Sequence, residues 1–191
     1  MRSPDHGLHY ELAAVLGEVD ALTAMARVHP SARVVPLDVE PLALLPVTAE
    51  LAAEVTPAAL CSLGMDRLPG GTELARRCRD EWLTGPESGF HVLTPGVAAL
   101  VEAGSVISTV AYVEADYLGR EGRQAAAVWR AGVLVTGPLL LGRQEAFTAG
   151  TAPISVALRA LGVAGAGRRD EFVVAGLGRR RHTEDWADGG G

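Results

Sequence analysis

Tyr112, Glu114 and Asp116 fall two residues apart in a stretch that reads as a strand, within the run Val106 to Thr136. Side chains of a strand alternate between its faces. Ser108, Val110, Tyr112, Glu114 and Asp116 therefore share one side, and Ile107, Ala111, Val113 and Ala115 share the other, apolar side. Two carboxylates at this spacing suit cation binding or a division of acid and base duty, because close acids push their pKa values apart. The competing reading is the solvated face of a half-buried antiparallel sheet. Gln124 and Arg130 lie in the next strand, within reach of the acids.

A second dense cluster is the tail from Gly176 to Trp186, which holds Arg179, Arg180, Arg181, His182, Glu184 and Asp185. A carboxylate beside an imidazole orients it for proton transfer. The blander reading is a surface tail whose arginines and acids pair with each other, with Trp186 tucked in as an anchor. The candidate catalytic residues are thus Glu114, Asp116 and His182. The candidate binding residues are Tyr112, Glu114, Asp116, Gln124 and Arg130.

Other chemistries find little support. His9 alternates with Glu11 in the first strand and reads as an exposed pair rather than a ligand set. The Cys and His spacings match no zinc pattern, so neither a metal nor a cofactor is expected. Gly176-Leu-Gly178 and Gly165-Ala-Gly167 lack the strand-to-helix setting of a dinucleotide loop. There is no Gly-x-Ser-x-Gly elbow. The chain contains no lysine, which removes Schiff-base, pyridoxal phosphate and P-loop chemistry. Enzyme activity is therefore left open, with the balance against it.

The elements that must carry these residues follow from apolar patterning and breakers. The spacing predicts a strand over 8–16, a helix over 18–29 ended by Pro30, and strands over 32–37 and 42–47. Thr48, Thr56-Pro57, Thr72 and Thr94-Pro95 are helix N-caps, for helices beginning at Ala49, Pro57, Glu73 and Pro95. Leu74, Cys78 and Trp82 form the apolar stripe of the third. A three-stranded meander then turns at 119–122 and at Ala131-Gly132. Residues 137–150 are a connection. A helix over 152–161 stops at Gly162, and the end adds a short strand or turn. The expected fold is α/β (α+β): a mixed, mainly antiparallel sheet with helices on one face. Residues 1–186 make a single domain, and 187–191 form a frayed tail.

Composition bounds the function. Of 191 residues 48% are hydrophobic, enough for a core, and only 5% are aromatic, so that core is built from Ala, Val and Leu. The net charge of -6 speaks against nucleic-acid binding and suits a basic protein partner. The two cysteines make no disulfide framework, no apolar leader opens the chain, and no apolar run spans a membrane. A cytoplasmic location is expected.

The strings at 111–129, 154–163 and 170–186 resemble a group of uncharacterised bacterial proteins. That group has a Tyr-Val-Glu strand, Gln-Ala before a Val-Trp strand end, and a closing Gly-Leu-Gly-Arg…Glu-Asp-Trp. The resemblance implies that the meander and tail belong to one folding unit, and it implies no activity. Taken together, these features favour a non-catalytic binding protein of immunity or antitoxin type, engaging a protein partner through an acidic strand face. The alternative is a small enzyme or ligand-binding domain using Glu114, Asp116 and His182 around a pocket. A homo-oligomer paired through a strand edge is a third class.

Overall fold

A computed structural model describes residues 9–56, 84, 88–119, 121–143, 145, 148, 150–167 and 169–188. They are organised by a six-stranded sheet with the order β2-β3-β1-β4-β5-β6. The strands are β1 (His9–Glu18), β2 (Val35–Pro36), β3 (Leu42–Pro46), β4 (Val110–Leu118), β5 (Glu121–Arg130) and β6 (Val133–Leu141). Every pairing is antiparallel. The mainly antiparallel α+β class expected from sequence is therefore present.

The helices, however, cover both faces of the sheet, not one. Against one face pack α1 (Val19–Ala26), α2 (Ala49–Glu54) and α3 (Pro95–Gly104). Their Leu22, Met25, Leu51, Val97 and Val101 meet Ala13, Val15, Leu45, Val110, Tyr112 and Trp129. Against the other pack α4 (Pro153–Ala160), α5 (Glu171–Val174), a 3-10 turn (Leu177–Arg179) and α6 (Thr183–Ala187). There Ile154, Leu158, Leu177 and Trp186 meet Leu12, Ala14, Leu16, Ala111, Val113, Ala126 and Val128. The signal for two covered faces was in the sequence. Leu12–Leu16 and Ala125–Trp129 are unbroken apolar runs, and every residue in them is buried. Strands apolar on both parities need cover on both sides.

Local chemistry sets the helix boundaries. The Thr48 and Thr94 hydroxyls accept from the N–H of Leu51 and Val97, both at 3.2 Å, as their N-cap positions predict. Asp170 does the same for α5 through the Val173 N–H at 3.0 Å. After α4 the chain stops where expected. The N–H groups of Gly162 and Val163 turn back to the carbonyls of Arg159 and Leu158.

Some boundaries differ from expectation. β1 runs on through Gly17 to Glu18, past the expected end at 16. β6 continues to Leu141 because a bulge opposite Ala126–Val128 absorbs Gly137-Pro138. Proline is tolerated in a bulged edge strand. The tail forms short helices rather than a strand. The helices predicted at 57–63 and 73–83, with Cys61, Cys78 and Trp82, lie outside the described residues. No helix among the described residues is long and apolar enough to cross a membrane.

The start of α3 packs directly on the end of α2. A Cβ on Gly96 would sit 1.8 Å from the Val55 carbonyl oxygen, which is backbone and has no rotamer to change. Gly96→Ala is therefore expected to destabilise the fold by about 2 kcal/mol or more. Urea unfolding measures this, and an unchanged midpoint would show that the two helices do not approach so closely.

Candidate functional site

Glu114 sits in the middle of β4 and is 2% exposed. Its carboxylate accepts from the N–H groups of His91, Val92 and Leu93 at 2.8, 2.8 and 3.0 Å, and from the Tyr112 hydroxyl at 2.9 Å. An Arg123 guanidinium N–H lies 3.4 Å away. This arrangement fastens the segment leading into α3 onto the sheet. Both Tyr112 and Glu114 are buried, so neither is on an open acidic face. Burial, followed by the neighbouring Glu114, pushes the Tyr112 phenol well above its ordinary value, and it stays a neutral donor.

Gln124 and Arg130 do not pair with the acids. Gln124 stands opposite Ala115 and points to the other face, where its Oε1 accepts from the Ile154 N–H at the start of α4, 3.1 Å away. Arg130 donates to the Thr109 hydroxyl at 3.0 Å. The basic partner is Arg123, which is directly opposite Asp116 in the β4–β5 register. The register, not proximity in sequence, decides which neighbour shares the acids' face.

Asp116 lies at the open end of the sheet, partly exposed. Its Oδ1 is 3.1 Å from His9 Nε2. Its Oδ2 accepts from Arg143 at 3.1 Å and lies 3.6 Å from Arg123 Nε. Partial burial would raise its pKa. The hydrogen bonds from His9 and Arg143 and the charges of Arg123 and Arg143 outweigh this and hold it below the ordinary carboxylate value.

The tail brings His182 to the same place. β3 pairs only with residues 14–18 of β1, which leaves the other half of that strand edge open. The tail fills it: the Glu11 N–H donates to the Arg181 carbonyl at 2.7 Å, and the Ala13 N–H to the Thr183 hydroxyl at 2.9 Å. Trp186, buried in the core, anchors this segment, with the Arg179 and Arg180 guanidinium groups over its ring. The Asp185 carboxylate accepts from the His182 N–H at 3.0 Å and closes the first turn of α6.

His182 consequently faces β1, its ring centroid 5.5 Å from that of His9. His9 and Glu11, two residues apart on one face, and His182 place a ligand atom each within 4.8 Å of one another. His9 and Glu11 alone resemble an ordinary exposed pair. The third member arrives from more than 170 residues away, so no local spacing could announce it. The period-two alternation of His9 and Glu11 was the visible part of the signal. The chain matches no protein-family model, no curated protein and no solved structure.

Two outcomes test this account. Glu114→Gln keeps the shape but turns an amide N–H₂ toward backbone donors. A loss of about 2–4 kcal/mol in unfolding free energy is expected, and a loss below about 0.5 kcal/mol would contradict the fastening role. Asp116 has a depressed pKa in the fold. Its stabilising effect is present above its unfolded value of about 3.9 and disappears as pH falls through the lower folded value. Asp116→Asn should therefore be less stable than wild type at pH 7 and converge with it in strong acid. A gap independent of pH would argue against the ion-pair network.

Proposed function

We propose that the chain is a small metal-dependent enzyme or ligand-binding domain whose site is His9, Glu11 and His182, oriented by Asp116. The observation that carries this reading is the convergence of two imidazoles and a carboxylate, from β1 and the tail, within 4.8 Å. Two His and one carboxylate form the donor set of catalytic zinc sites and of facial-triad iron sites. Around a zinc ion with bonds of about 2.0–2.1 Å, tetrahedral ligands stand roughly 3.4 Å apart. The cluster must therefore close by about an ångström, which half-exposed and exposed side chains achieve by small rotations.

The surroundings also fit. His9 Nε2 is engaged by Asp116, so His9 offers Nδ1 to an ion. A carboxylate behind a ligating imidazole fixes its tautomer and raises its basicity. Three protein ligands leave coordination positions open for water or a ligand, as in catalytic rather than structural sites. Of the residues first singled out, Asp116 and His182 belong to this site directly. Glu114 supports it from within the sheet, through Arg123. A metal would also clamp the tail onto β1, joining the two ends of the chain.

Metal-free protein titrated with Zn²⁺ or Co²⁺ in a calorimeter should bind one ion per chain. At a hundredfold excess of free ion over Kd the fold should gain about 2.7 kcal/mol. His182→Ala should abolish both effects, and Asp116→Asn should weaken binding about 10–100-fold. Equal binding by wild type and His182→Ala would sink the proposal.

A further inference from the structure

We infer that this site takes a ligand bearing a small oxyanion, a carboxylate or phosphate group, and that Arg143 is the residue that holds it. The inference rests on the metal reading above and adds the class of ligand.

Arg143 follows β6 directly and reaches the site through Asp116, one of whose oxygens it contacts while His9 contacts the other. A single carboxylate thus separates the guanidinium from the imidazole. Gly142 and Glu145, on either side of Arg143, are joined by two hydrogen bonds. The Gly142 N–H donates to the Glu145 carboxylate, and the Glu145 N–H donates to the Gly142 carbonyl, each at 3.1 Å. The Arg143 side chain is 68% exposed. Asp116 engages one terminal nitrogen of the guanidinium, and its other N–H donors meet no partner among the described residues. A guanidinium offers five N–H donors in a planar fork that matches the paired oxygens of a carboxylate or phosphate. Arg123, on the same face of the sheet, is only 21% exposed and already lies against Glu114 and Asp116, so it is not the one that reaches outward.

Charge points the same way. Glu11, Glu114 and Asp116 outnumber Arg123 and Arg143 by one charge, and the two imidazoles are ligands only when neutral. A divalent ion adds two positive charges and leaves this set with an excess of one. An anion bound to the open metal positions and to Arg143 neutralises that excess, whereas a cationic or neutral ligand does not.

The test is the visible spectrum of Co²⁺-loaded protein, titrated in separate arms with inorganic phosphate and with succinate. Wild type is expected to show a saturable shift, and the tighter arm identifies the source of the oxyanion. Arg143→Ala should weaken that anion by about tenfold or more, read with the Co²⁺ site saturated in both proteins. Arg143→Lys should recover only part of the loss, since it restores charge without the fork. A Co²⁺ spectrum that neither anion perturbs would overturn the inference. So would anion affinity unchanged by Arg143→Ala, because the anion would then depend on the metal alone. Failure of wild type to bind Co²⁺ appears before any anion is added, and it removes the metal reading together with this one.

Discussion

The buried carboxylate of Glu114 accepts hydrogen bonds from three successive backbone N–H groups, those of His91, Val92 and Leu93. A polypeptide turning into a helix over the face of a sheet brings donors that the helix itself does not satisfy. Burying them without acceptors would cost more than the apolar contacts of a short segment return. One side chain from the central strand removes that cost and fixes where α3 begins. Phe90 and Leu93 can then join the core beside Tyr112. On the opposite face Gln124 performs the same task for α4. Glu114 on one face and Gln124 on the other thus each tie the start of a helix to the sheet.

The site at the sheet's end depends on this arrangement at one remove. Arg123 lies between Glu114 and Asp116, linking the buried acceptor to the exposed one. Asp116 in turn is held between His9 and Arg143. Polar groups that are fully satisfied stiffen one another in a medium of low dielectric constant. The donor set of His9, Glu11 and His182 therefore rests on a braced network at one side. At the other it rests on a tail anchored by Trp186. That tail completes the edge of β1 which β3 leaves uncovered, so the strand's unpaired groups and the third donor are supplied by the same segment.

Much of the local structure was legible in the residues. Thr48 and Thr94 read correctly as caps because a cap is a contact between positions three apart. The hairpin at Ala131-Gly132 read correctly because both residues take positive φ, at 52° and 76°, as such a turn demands. The acids of β4 were correctly placed on one face, yet that face was assigned to solvent or to a pocket. Glu114 instead lies beneath 91–93. Nothing in an alternating pattern distinguishes an acid facing water from one facing a row of backbone donors. The short helices of the tail were missed for a similar reason. They are too brief to show a period, and docking rather than propensity maintains them.

The sequence by itself determined the apolar strands, the caps and the turns, since each depends on neighbours a few positions apart. Tertiary structure alone decided that Arg123 rather than Gln124 or Arg130 meets the acids. It also decided that His182 joins His9 and Glu11. Those outcomes follow from strand register and from the tail docking along the free half of β1. Both are set by burial and hydrogen bonding between segments far apart in the chain, which leave no periodic trace in it.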